Sequence, residues 1–167
     1  QILYHILNAN PDIAAERVFA PGVDMETILR NTGRPLFSLE SRESICRFDI
    51  IGFSLLYELN YTNILTILDL AKIPFLASER SLKYPLIIAG GPCTCNPEPI
   101  AEFFDAIVVG DGENVVLEMA GVWLRWKEEG RVDKETLLEK WSQIEGVYIP
   151  SFFNVFPVLR SALSLPA

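Results

Sequence analysis

YPLIIAGGPCTCNPEPIAEFFDAIVVGDGENVVLE, residues Tyr84 to Glu118, reads as strand, glycine loop, helix, strand, second glycine loop and the start of another helix. Pro85 to Ala89 is a short unbroken apolar run, the signature of a strand buried on both faces, and it ends in Gly90-Gly91, where backbone turns without a Cβ. Asn96 is a good N-cap and Pro97 suits a first helical position, so the spacing predicts a helix from there that ends before Asp105. Ala106 to Val109 is the next predicted strand. Gly110-Asp111-Gly112-Glu113 turns the chain again into Val115, Val116, Met119, Val122, Trp123 and Trp126, which share one helical face. Two strand ends thus deliver two glycine loops to one sheet edge. In an open parallel sheet that edge is where ligands sit, because the loops spread there and helix N-termini present unpaired N–H groups.

Working outward, Asp49 to Leu56 is a second strong strand, uncharged after Asp49, with Ser54 near its carboxyl end. Ile64 to Ala71 follows as a helix that Pro74 ends. Phe75 to Tyr84 carries Glu79, Arg80 and Lys83 and reads as a solvent-facing flap. Nearer the start, Ile2, Leu3, Ile6 and Leu7 have helical spacing. Arg17 to Ala20 is a candidate strand, and Asp24 caps a helix that stops at Gly33. Leu36 to Leu39 reads as a short strand or a return loop, and Ser41 to Arg47 as one or two helical turns. Downstream, the helix from Glu113 runs to about Glu129. Asp133 caps a further helix carrying Leu137, Leu138, Trp141 and Ile144, and Val147 to Ile149 is a possible edge strand. This alternation, without a hairpin signal, predicts an α/β fold of the flavodoxin-like or Rossmann-like kind: an open parallel sheet with helices on both faces. Such a fold normally opens with a strand and this chain opens with a helix, which predicts a first strand lying upstream of Gln1. Residues 1–150 read as one domain and 151–167 as a tail or linker.

Composition limits the function. Half of the 167 residues are hydrophobic, enough for a sizeable core, and the formal net charge of −8, with no Lys or Arg cluster, argues against nucleic acid. Apolar runs such as Ile50 to Tyr57 fall well short of the roughly 20 residues that a bilayer span requires. The N-terminus lacks the pattern of a secretory signal. Three cysteines, Cys46, Cys93 and Cys95, suit a reducing cytoplasm.

With the strand ends placed, LIIAGGPCTCNPEPIAEFFDAIVVGDGENVVLEM resembles the cobalamin-binding-type N-terminal domain of many radical S-adenosylmethionine (SAM) enzymes. The counterpart there runs as apolar strand, GGP-H, a Pro-Glu segment, a D-x-V-V-x-G strand and GEGE. The likeness extends upstream through FDIIGFSLLYELNYTNIL, covering most of residues 3 to 120, and is strongest to bacterial Fe-S oxidoreductases with such a domain ahead of the radical SAM barrel. The resemblance implies an accessory domain, not catalytic alone, whose partner is the barrel of the same parent protein, with the 4Fe-4S cluster and SAM confined to that absent domain. It also implies cofactor contacts at Ser54, Leu56, Gly90, Gly91, Pro92, Cys93, Gly110, Asp111, Gly112 and Glu113.

The chain departs from the family pattern in ways that matter. Ser54-Leu55-Leu56 matches the family's S-x-L and Gly90-Gly91 its G-G, but D-x-H-x-x-G is absent. The only histidine, His5, lies outside that motif and reads as a packing residue, so any cobalamin would be held without a histidine from this chain. Position 93 is cysteine where histidine is common. C-x-x-x-C-x-x-C, the cluster motif of radical SAM enzymes, is also absent. Cys93-Thr94-Cys95 with distant Cys46 has the wrong spacing for metal and reads as free thiols. Asp111 and Glu113 read first as helix cap and first-turn carboxylate. Glu98 and Glu102 read as a solvated face, and Trp123, Trp126 and Trp141 as core or inter-domain contacts. Two other readings stay open: a module holding a flavin or similar nucleotide-like cofactor at the same edge, and a purely structural inter-domain module.

Overall fold

The computed structural model describes residues 2–130 and 133–153. The helices are α1 (Ile2–Asn8), α2 (Val23–Thr32), α3 (Tyr61–Leu70), α4 (Gly112–Glu128) and α5 (Lys134–Ser142). The strands are β1 (Ile50–Ser54), β2 (Leu86–Gly90), β3 (Ala106–Val108) and β4 (Val147–Tyr148), in the spatial order β1-β2-β3-β4. β1 and β2 run parallel in the register Ile50 to Leu86 through Ser54 to Gly90, and β3 is parallel to β2. β4 closes one edge antiparallel, with Val147 opposite Val108. The fold is therefore α/β, an open and mostly parallel sheet with helices on both faces.

The two faces form two cores, as the period-2 alternation of strands requires. Ile51, Ile87, Ala89 and Ile107 enter one, with Leu29 of α2 and Ile64, Ile67 and Leu68 of α3. Leu86, Ala106 and Val108 enter the other, with Met119, Trp123 and Trp126 of α4 and Leu137, Leu138 and Trp141 of α5. Ile87 is fully buried, and a side chain of that size contributes about 1.5–3 kcal/mol when it leaves water. The three tryptophans are core residues; Trp126 Nε1 donates to the Asp133 carbonyl at 3.1 Å and Trp141 Nε1 to the Met119 carbonyl at 3.0 Å.

Helix ends follow local chemistry in part. Asp133 accepts the Thr136 N–H and caps α5, and α2 ends at Gly33 with φ +66°. Asp111 holds the N-cap position of α4 with extended backbone, but its side chain makes no capping bond. Gly22, not Asp24, precedes α2. Between Pro97 and Asp105 the chain forms a 3-10 helix, Glu98–Phe103, and not the α-helix expected from Asn96 and Pro97. Part of the connection between β2 and β3 is already taken by a separate 3-10 turn, Pro92–Cys95, and Pro99 withholds an N–H from the segment that follows. Arg17 to Ala20 is not a strand: the Arg17 carbonyl accepts a single N–H, from Leu39, and no ladder extends from it. Phe37 pairs with Ser44 in an isolated bridge, and Ile45–Arg47 is a 3-10 turn. The tail beyond Phe153 lies outside the described residues.

Candidate functional site

The carboxyl ends of β1, β2 and β3 bring the expected site residues to one edge. Ser54 pairs with Gly90 across the ladder, and a Cβ on Gly90 would meet Val108 of β3 at 3.8 Å. The first glycine loop then closes back on β1. Leu55 N–H donates to the Gly90 carbonyl at 2.7 Å and Cys93 N–H to the Leu55 carbonyl at 3.1 Å. The buried Thr94 hydroxyl donates to the Gly91 carbonyl at 2.8 Å. Gly91 has φ +114°, and a Cβ there would stand 2.9 Å from the Leu55 carbonyl oxygen. Glycine at 91 is thus required by the chain itself. The α-carbon faces the Leu55 backbone just past β1, so positive φ and close packing within the chain already account for a glycine here.

The second loop is different. Gly110 has φ +107° with open space around a built Cβ, whereas Gly112 lies against Leu3 of α1 at 3.9 Å. α1 packs along α4 and covers part of the second loop, a role its sequence did not announce. Gly110, Asp111 and Glu113 stay accessible, as do Ser54, Leu56 and Pro92. His5 is exposed on α1, its ring edge-on to Tyr4 at 5.6 Å, and so is not the packing residue expected.

Among the thiols, Cys93 faces Tyr61 and Glu58. Burial pushes its pKa up and the Glu58 carboxylate adds to this, while a hydrogen bond with the Tyr61 hydroxyl acts against them. Tyr61 is raised as well, by burial first and then by Cys93 and Glu58. These surroundings favour the thiol over the thiolate, the opposite direction from that of an activated nucleophile. Cys95 is exposed. Cys46 lies ahead of the amino end of β1, at the opposite edge of the sheet from Cys93 and Cys95. No group of three or more His, Cys, Asp or Glu placed to hold a metal forms among the described residues.

Sequence reasoning missed the most tightly held charges. Arg80, expected on a solvent-facing flap, is 3 % exposed, and Asp105 is 2 % exposed. Arg80 Nη2 donates to Asp105 Oδ2 at 3.1 Å and to the Phe103 carbonyl at 2.8 Å, while Nη1 donates to the carbonyls of Pro74 and Phe75. Asp105 Oδ2 also accepts the Ile87 N–H at 2.7 Å. Lys134 Nζ stands 2.5 Å from Asp105 Oδ1 as an ion pair and directs hydrogen bonds to the carbonyls of Ala77 and Arg80. This network ties the 75–84 connection, the start of β3 and α5 into one body. The one available cue was Asp105, a carboxylate placed directly before a fully buried strand. Glu98, expected on a solvated face, likewise has a partner, the Tyr148 hydroxyl at 2.7 Å.

The same carboxyl edge exposes apolar side chains: Leu56 61 %, Tyr57 51 % and Leu59 84 % after β1, and Val109 40 % after β3. Grooves open at the amino edge and beside β4, the second sharing Val109 with the carboxyl edge. The first is bordered by Arg47, Lys83, Tyr84 and Trp123, and the second by Val109, Tyr148, Phe152 and Phe153. No helix among the described residues is long and apolar enough to cross a membrane.

The family described as "Radical SAM proteins, N-terminal" matches residues 1–150. The uncharacterized protein MJ0966 of Methanocaldococcus jannaschii is 34% identical over 110 residues, which is 59% of this chain and 23% of that protein. The chain thus aligns with under a quarter of the length of this curated relative. No solved structure matches. With the match running from α1 through β4, this chain belongs to the radical SAM N-terminal family.

Proposed function

We propose that this chain is a non-catalytic accessory domain of a longer, cytoplasmic radical SAM iron–sulfur oxidoreductase, and that it packs against the parent's radical SAM barrel with the carboxyl edge of its sheet. The observation that carries the reading is the apolar exposure of Leu56, Tyr57, Leu59 and Val109 at that edge. Surface leucines occur singly on any protein, but four large apolar side chains at one edge of the sheet, three after β1 and one after β3, suit an interface. In this reading the 4Fe-4S cluster and SAM belong to the barrel, since this chain lacks the triple-cysteine loop that holds such a cluster. Residues 1–150 form the accessory domain and 151–167 lead toward the barrel.

The decisive experiment uses the barrel expressed separately. Leu59→Asp leaves this chain as stable as before, because the side chain is already in solvent, and weakens its association with the barrel. Unchanged affinity overturns the docking reading. A second reading, binding of a corrinoid or flavin, draws on the accessible Ser54 and the open space at Gly110. In that reading Ser54, Leu56, Gly90, Pro92, Cys93, Gly110, Asp111 and Glu113 line the cofactor, and no histidine of this chain lies beneath cobalt. Titration with hydroxocobalamin and with FMN, followed by absorbance, tests it: saturable binding that Ser54→Ala weakens by about 0.5–1.5 kcal/mol supports a cofactor site.

A further inference from the structure

The two edges of the sheet are built differently. β4 is two residues long, runs antiparallel and lies two residues from Pro150, features that blunt an edge. β1 has none of them. Its five residues, IIGFS, contain no charge and no proline.

The ladder settles which way β1 points its backbone. Leu86 N–H donates to the Asp49 carbonyl, and Leu55 N–H to the Gly90 carbonyl. Alternate residues of a parallel strand address the same neighbour, so Asp49, Ile51, Phe53 and Leu55 face β2. Ile50, Gly52 and Ser54 therefore turn their N–H and C=O groups outward. No strand lies beyond β1 among the described residues. Gly52 and Ser54 are exposed, and exposure of a glycine is exposure of its backbone. Meanwhile both faces of β1 already carry helices, since Ile51 enters the core of α2 and α3 and Ile50 packs against that of α4 and α5. This is the setting of an interior parallel strand and not of an edge.

We infer that the outer edge of β1 seats a further apolar strand, parallel to β1 and supplied by the same polypeptide outside residues 1–167. The relative has ample sequence for it, because the matched segment is only 23% of that protein. The inference rests on this chain's being part of a longer protein, and not on where the barrel docks.

Amide hydrogen exchange on the intact parent protein tests it residue by residue. With the strand in place, the Gly52 and Ser54 amides exchange as slowly as those of Ile51 and Phe53, and roughly 100-fold or more slowly than the same amides in residues 1–167 alone. Fast exchange at Gly52 and Ser54 in the parent, beside slow exchange at Ile51 and Phe53, overturns the inference. Protection that arises in the isolated chain and grows with its concentration assigns the edge to a second copy and overturns it too. Failure of the barrel-docking reading leaves these amides unaffected, so the two outcomes are distinguishable.

Discussion

Replacing Asp105 by alanine tests whether the buried charges hold the domain together. The carboxylate has three partners: the Arg80 guanidinium at 3.1 Å, the Ile87 N–H at 2.7 Å and the Lys134 ammonium at 2.5 Å. Lys134 keeps its two carbonyl acceptors and is partly exposed, so it loses least. Arg80 keeps three carbonyls but is left charged in a site where its side chain is 1% exposed, and the Ile87 N–H is left without an acceptor. An orphaned buried donor costs about 1–3 kcal/mol, and breaking a buried ion pair from one side about 3–5 kcal/mol. A loss of about 3–5 kcal/mol is a large share of the roughly 5–15 kcal/mol that holds a typical domain. Urea denaturation followed by tryptophan fluorescence reads it, since Trp123, Trp126 and Trp141 all sit in the adjoining core. The double variant Arg80→Met with Asp105→Ala leaves no uncompensated guanidinium, so it should be less destabilised than the two single losses summed, by about 0.5–3 kcal/mol. A loss under about 1 kcal/mol for Asp105→Ala, or strict additivity of the pair, refutes the reasoning. Asp69→Ala, which removes the exposed partner of Arg30, is the control and should leave the urea midpoint nearly unchanged.

Other expectations concern the glycines, the thiols and the alkaline limb of stability. Gly91→Ala adds a Cβ that meets the Leu55 backbone at 2.9 Å, and Gly110→Ala adds one in open space, both at positive φ. Equilibrium unfolding should show a loss of about 1–3 kcal/mol or more at Gly91 and a smaller one at Gly110; equal losses would mean that φ alone decides. Thiol labelling with a disulfide reagent at pH 8 should modify exposed Cys95 well before Cys93, and Glu58→Gln should speed Cys93 by removing one of the causes that raise its pKa. Tyr148 is pushed up from 10.0 to about 12, by burial first and then by Glu98. A folded pKa above the unfolded one gives stability that is full below pH 10 and lost as pH rises toward 12. Tyr148→Phe should flatten that decline without abolishing it, because Tyr61 is shifted the same way. Anaerobic reconstitution of this chain with iron and sulfide should yield no stable cluster, and near-stoichiometric iron would contradict the assignment of the cluster to the parent's barrel.

The sequence by itself determined the elements whose signals are local. Runs such as Leu86 to Ala89, periodic stripes such as Met119, Trp123 and Trp126, the Asp133 cap and the Gly33 stop each act within a few residues, so propensity and pattern suffice to place them. The two glycine loops at one sheet edge followed from the same alternation, because parallel strands joined by helices leave their carboxyl ends together. Only tertiary structure decided what those loops touch. Gly91 looked like a ligand's approach, yet its neighbour is Leu55, 36 residues earlier, and nothing near position 91 encodes that contact. Arg80 looked solvated because charge normally seeks water. Its burial depends on Asp105 and on the carbonyls of Phe103, Pro74 and Phe75 converging on one guanidinium. Asn96 and Pro97 signalled an α-helix, and the chain forms the 3-10 helix Glu98–Phe103 there, with Pro99 withholding an N–H. At Gly91 and Arg80 a local preference of about a kcal/mol gave way to packing between distant segments, whose energies are several times larger.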